Sequence, residues 1–453
     1  MARIEDDPRI TISEPALAET VVDLTAAPGA AVAEVPPEIL AQSLGQYLRG
    51  WLLRIRSGDS GVLPVVLGIV VVAIAFEVIT PENSFLRPSN LVYIFDRGTI
   101  FMVLAMAEIV VLLLGEIDLS IGAVALLGGT IAFKLVQQPG PNWPWWAAIL
   151  ATLVCCGVIG ALQGTLVARL RIPSFVVTLA GFLLFSGILI IVLGGADGFV
   201  SVSSLPGTNQ SVIFNLVQGV INPVASWVAL AVLLALAATV LWMRGASRRR
   251  SGLVAPPAGL IAIRILLMVA VGIAVVAICE VNLPAGVPEV IPVVLGVLAL
   301  WTLGLQRTRF GRYVYAIGGN PEAARRAGVN LALVRTAAFA LCSATAGFGG
   351  ILLGSFFYGE YSTNTADPGQ LVLYSVAAAV IGGTSLFGGR GKAIHGVLGG
   401  LLIGAIAYGV SLLDLGELST PLEYILPGSV LLAAVLVDVL SRRGARTGSV
   451  ARV

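Results

Sequence analysis

Apolar runs of 18 or more residues recur along this chain, and each is long enough, as a helix, to cross about 30 Å of hydrocarbon. Backbone polar groups in lipid must be satisfied internally, so only helices and closed barrels span a membrane. Barrel strands alternate apolar and polar residues over about ten positions, and these runs do not alternate. Of the 453 residues, 57% are hydrophobic and 11% charged, against about 25% charged in soluble domains. So few charges cannot cover a soluble surface. The chain reads as an all-α polytopic membrane protein, surrounded by membrane lipid. That excludes a cytosolic enzyme, a nucleic-acid binder and a secreted disulfide scaffold.

Twelve spans are predicted, near 62–80, 97–114, 117–135, 146–168, 175–194, 225–243, 259–279, 290–306, 336–357, 371–388, 394–413 and 424–440. With the N-terminus inside, 24 of the 27 basic residues fall on inner segments. Only Arg87, Arg97 and Lys134 are left outside. The positive-inside rule therefore favours twelve spans with both termini cytoplasmic. Residues 1–58 read as a cytoplasmic, largely disordered tail, acidic at first, then basic and amphipathic from Tyr47 to Arg56. Residues 59–441 form the transmembrane domain, and 442–453 a cytoplasmic C-terminal tail. Glycines four apart (Gly160/Gly164, Gly350/Gly354 and Gly396/Gly400/Gly404) predict ridges where helix backbones approach closely.

Little covalent chemistry is available. His395 is the single histidine, and Cys155, Cys156, Cys279 and Cys342 lie in or beside apolar runs. No metal site, disulfide or catalytic residue is expected. The glycine-rich stretch Ile381-Gly-Gly-Thr-Ser-Leu-Phe-Gly-Gly-Arg-Gly-Lys392 invites a phosphate-loop reading. It fails, because Leu386 stands where that pattern needs Gly and Ala393 where it needs Ser or Thr. A flexible turn between two spans fits better.

Ionisable residues in apolar surroundings are costly and mark pathways or partners. Gly115-Glu-Ile-Asp-Leu-Ser-Ile-Gly122 holds two carboxylates between apolar stretches. It is either a helix break lining a cavity or a hairpin with Asp118 capping the next helix. Glu108 lies in the otherwise apolar run Ile100–Leu114, so it is expected to face the bundle interior. There it either bonds a neighbouring backbone carbonyl or contacts a solute. Glu108, Glu116, Asp118, Ser120, Thr384 and Ser385 are the candidate pathway residues.

On the inner side, Asn320-Pro321-Glu322 reads as a helix start: Asn as cap, Pro at the first position, an acid in the first turn. Gly328 reads as the stop. The short helix through Ala323, Ala324, Arg325 and Arg326, preceded by Gly319, would expose Glu322, Arg325 and Arg326 to a cytoplasmic partner. Buried carboxylates and twelve spans equally suit a proton-coupled secondary transporter with Glu108 or Asp118 as carrier. An intramembrane enzyme would need an acid–base or metal cluster that the sequence does not offer.

Arg312-Tyr-Val-Tyr-Ala-Ile-Gly-Gly-Asn-Pro-Glu-Ala-Ala-Arg-Arg-Ala-Gly-Val-Asn330 resembles the signature loop of sugar-importing ABC permeases. Glu116-Ile-Asp-Leu-Ser120, Ile172-Pro-Ser-Phe-Val-Val-Thr-Leu-Ala-Gly181 and Ile381-Gly-Gly-Thr-Ser-Leu386 match the same family in the same order. Together they cover residues 62 to 441. The charged loop at Arg244–Arg250 and the span pair around it are more similar to xylose permease subunits than to the shorter ribose ones. The resemblance implies a homodimeric permease in the inner membrane of a bacterium. It implies a cytoplasmic ATP-binding subunit and an extracytoplasmic sugar-binding protein as partners. ATP is then used by the partner, no cofactor is bound by this chain, and the loop around Glu322 contacts the ATPase. The chain departs from its relatives at Val372 and Tyr374, where they commonly carry acids, and at Glu108, where they carry an apolar residue.

Overall fold

The computed structural model describes residues 45–46, 49–50, 61–195, 197–251, 257–282, 285–362 and 367–450, with side chains as far as Leu436. The tail expected over 1–58 lies almost wholly outside the described residues. A helix occupies each of the twelve predicted stretches: α1 (Leu63–Ile79), α2 (Pro88–Leu113), α3 (Ile121–Val136), α4 (Trp145–Leu170), α5 (Ser174–Leu193), α7 (Pro223–Arg250), α8 (Ala258–Glu280), α9 (Val290–Arg307), α12 (Leu331–Phe356), α13 (Pro368–Ile381), α14 (Ala393–Leu412) and α15 (Ser419–Val450). Shorter helices are α6 (Asn209–Gln218), α10 (Arg309–Gly319) and α11 (Pro321–Arg326). Eight helices are long and apolar enough to cross a membrane by length and composition; α1, α3 and α13 are shorter apolar helices. Helix α2 differs by carrying Asp96, Arg97 and Glu108. The chain is therefore an all-α polytopic membrane protein.

Helix α2 is the axis of the larger of two compact units, Arg54–Val240 with Ile263–Val453. Every residue from Gly98 to Leu113 is buried, which is possible only because helices surround it on all sides. The predicted glycine ridges supply the close approach. A methyl group at Gly160 would overlap the Phe339 carbonyl and Ser343 Oγ, so α4 lies directly on α12. Gly350 faces the Ala125 carbonyl of α3, and Gly396 and Gly400 lie on the α2 backbone at Met106 and Met102. Small residues let dispersion contacts and backbone dipoles replace the hydrophobic drive that lipid does not provide. Leucines and valines of α1, α4, α5, α7 and α8 point outward, among them Leu67, Leu162, Leu183, Val228 and Leu266, as a lipid-facing belt requires.

The other unit groups Leu241–Ala262 with residues before 54. Within it Ile261 packs over Gly245. The charged stretch Arg244–Arg250, expected as a loop, is the last turns of α7. The predicted tail boundary at 441 falls inside α15.

Two short antiparallel pairings join connecting segments. Strand β1 (Phe199–Ser201) pairs with β4 (Glu360–Ser362), and β2 (Val220–Ile221) with β3 (Val287–Pro288). Helix α6 begins at Thr208, whose side chain accepts from the Ser211 N–H. It is tied to α12 through the Val217 N–H donating to Ser355 Oγ at 2.9 Å.

Candidate functional site: a buried carboxylate node joined to a capped inner helix

Helix α2 stops where Gly115 takes a positive φ of 77°, a conformation that glycine enters without a Cβ penalty. Residues 116–118 are irregular, and α3 starts at Ile121. Glu108, Asp118 and Ser120 are all fully buried. The Asp118 N–H donates to Glu108 Oε1 at 3.1 Å. Asp118 Oδ1 accepts from the Ser120 N–H at 2.9 Å and from the Ser120 hydroxyl at 2.6 Å. The same hydroxyl accepts from Gln163 Nε2 of α4 at 3.0 Å.

Asp118 thus closes the turn ahead of α3 through Ser120. The residue at the start of the helix is Ser120 and no side chain caps it, so Asp118 is not the helix cap considered from sequence. Gly115 is exposed while Asp118 and Ser120 are buried. Glu108 faces the interior as predicted. Its partner is a backbone N–H rather than the carbonyl considered from sequence, and Oε2 has no partner. Glu116 stands slightly apart, 3.4 Å from Arg335 Nη2 in the first turns of α12. Ser174 and Thr178 of α5 hold Ile117 from the other side, each at 3.4 Å. Gln163 was not singled out from sequence; a lone Gln in an apolar helix was the available signal.

Thr384 and Ser385 lie in the turn after α13, which ends at Ile381 and not at the expected 388. Thr384 Oγ1 lies 3.4 Å from His395 Nδ1, and the Ser385 N–H donates to the Arg390 carbonyl at 2.9 Å. The turn is not free. The Gly389 N–H donates to the Leu113 carbonyl at 2.9 Å, and the Tyr315 hydroxyl to the Gly391 carbonyl at 2.7 Å. It is pinned to the end of α2 and to α10.

The capped inner helix is present as read. Asn320 Oδ1 accepts from the Ala323 N–H at 3.0 Å, and Pro321 starts α11. Gly328 has a φ of 83°. Glu322 pairs with Arg325 at 2.9 Å and Arg326 at 3.4 Å. The hydrogen bond and charge of Arg325, with a smaller contribution from Arg326, hold the Glu322 carboxyl below its usual range. Ala324 is buried while Ala323, Arg325 and Arg326 are exposed.

The preceding α10 was not foreseen. Thr308 caps it through the Gly311 N–H at 3.1 Å, and it buries Gly311, Val314 and Ile317 at three-residue spacing. At its end Gly318 lies against the Leu113 carbonyl and the Gly389 N–H, where a Cβ would overlap both. One backbone junction thus connects the exposed helix α11, the glycine turn and the end of α2. Arg335 adds a second link, from α12 to Glu116. Among the described residues no group of three or more His, Cys, Asp or Glu side chains is placed to hold a metal ion.

Comparison with known proteins identifies the family. A family model described as branched-chain amino acid transport system / permease component matches residues 90–247 and 264–435. The chain is 33% identical over 387 residues to the xylose transport system permease protein of Escherichia coli (strain K12), covering 84% of this chain and 92% of that one. It is 32% identical to its Haemophilus influenzae counterpart, over 86% of this chain and all of that one. The ribose import permease protein of Escherichia coli (strain K12) is 27% identical, over 86% and 95%. No solved structure matches. The chain belongs to this permease family as a multi-pass bacterial inner-membrane protein, an ABC sugar permease of the xylose type.

Proposed function

We propose that this chain is the permease subunit of an ATP-driven importer that moves a monosaccharide, D-xylose or a related pentose, inward. The observation that carries the reading is the exposed, doubly marked helix α11, seated through Gly318 on the end of the buried α2. A surface anchor needs no such connection; a docking element that transmits motion does. A cytoplasmic ATP-binding subunit docks on Glu322, Arg325 and Arg326, and hydrolyses the ATP. An extracytoplasmic sugar-binding protein delivers the sugar, and a second copy of the chain completes the permease. The twelve helices span the membrane with both termini cytoplasmic, in keeping with the basic residues of the inner segments. Xylose is favoured over ribose because identity to the xylose permeases exceeds that to the ribose permease, 33% against 27%.

Glu108, Asp118 and Ser120 act in this mechanism as an inner latch. Their mutual bonds hold the α2–α3 hairpin closed, and movement of Gly318 against Leu113 loads it. The sugar preference is tested in vesicles carrying the three components, with labelled D-xylose, D-ribose and D-allose supplied on their binding proteins. Faster ATP-dependent uptake of D-xylose supports the assignment; preference for a hexose removes it.

A further inference from the structure

On the importer reading above, a sugar must meet polar groups that solvent reaches. The inner carboxylates do not qualify: Glu108 and Asp118 are 0% exposed. A second polar cluster lies at the other end of α2. Arg97 Nη2 is 3.2 Å from Glu423 Oε1 in the first turns of α15, and the two side chains keep 26% and 19% of their surface. The Tyr374 hydroxyl donates to the Glu423 carbonyl and accepts from Gln370 Nε2 at 3.2 Å. Phe101 meets Tyr374 edge-on at 5.2 Å, and Tyr424 lies 6.3 Å from Tyr374 between ring centroids.

We propose that Arg97 and Glu423, framed by Tyr374, Gln370 and the ring of Tyr424, are the sugar-contacting residues of the permeation path. Charges within apolar helices are costly and characteristically face a partner or a water-filled path, and this pair keeps part of its surface open. Their chemistry suits a neutral polyol. Vicinal hydroxyls can accept from the guanidinium fork and donate to the carboxylate, replacing the Arg97–Glu423 contact with no change in net charge. The exposed ring of Tyr424 takes the C–H side of the sugar, while Phe101 and Tyr374 are buried behind it, and Gln370 offers a further donor and acceptor. Tyr374, buried behind the pair, holds the Glu423 backbone in place through its hydroxyl.

The test uses the complete complex in vesicles, with Glu423→Gln, and Arg97→Lys as a second variant that keeps its charge. Maximal uptake is measured at saturating loaded binding protein for D-xylose and for its monodeoxy analogues. The proposal expects about a tenfold loss of D-xylose flux, as for one lost charge-assisted hydrogen bond. The analogue lacking the contacted hydroxyl should change by less than about twofold. An equal loss for every sugar, or no loss, overturns the proposal and leaves the pair a packing contact. If the unsubstituted complex shows no ATP-dependent uptake, the importer reading fails, and this assignment with it.

Discussion

At the scale of single residues, the node around Asp118 is held by two backbone N–H groups that each donate to a carboxylate. Glu108→Leu removes the acceptor of the Asp118 N–H and leaves that donor buried without a partner. Such a loss costs about 1–3 kcal/mol, read as a lowered unfolding temperature of the detergent-solubilised protein. Glu108→Gln keeps an acceptor at Oε1 and should stay near the parent in stability and uptake. Asp118→Asn likewise keeps the oxygen that Ser120 uses, whereas Asp118→Ala leaves the Ser120 N–H without its acceptor and should be the more damaging. Equal stability of Asp118→Ala and Asp118→Asn would show that the turn is held by something else. That Glu108 faces inward was legible, because a carboxylate in the middle of an apolar run has nowhere else to go. Its partner was not, because the pairing depends on where the chain returns after Gly115.

Elements tell the same story at larger reach. Helix α11 was legible because its start and stop are local: Asn320, Pro321 and Gly328 act on their own neighbours. Helix α10 was not, because its buried face, Gly311, Val314 and Ile317, is short and interrupted by arginine and tyrosine. The seat of Gly318 on Leu113 and the pinning of the glycine turn depend on contacts tens to hundreds of residues apart. Asn320→Ala should cost about 1 kcal/mol of local stability through loss of the cap, seen as faster amide exchange at Ala323. Reversing Glu322 to Arg should leave the permease folded and lower sugar-stimulated ATP hydrolysis, since an interfacial charge contact costs about 2–5 kcal/mol when one partner is lost. Full stimulation by that variant would demote α11 to a surface anchor. Glu322 titrates below the usual carboxylate range. Its pairing with Arg325 therefore persists at neutral pH and is lost only as pH falls through that lowered value.

For the whole molecule, the proposed route of force runs from the inner helix through α10 to the buried axis α2. Gly318→Ala pushes a methyl group into the Leu113 carbonyl; overpacking of this kind costs about 1–3 kcal/mol. Complexes with that variant should assemble and yet transport poorly. Orientation can be checked independently: in a background without native cysteines, Arg325→Cys should react only from the cytoplasmic side and Trp143→Cys only from outside. The most direct measurement is sugar uptake into vesicles carrying this chain, its ATP-binding subunit and its sugar-binding protein, energised either by internal ATP or by a proton gradient alone. Uptake with ATP is expected, and it should disappear when the ATP-binding subunit is omitted. Uptake by this chain alone on a proton gradient would contradict the importer reading, and would turn Glu108 and Asp118 from a latch into proton carriers.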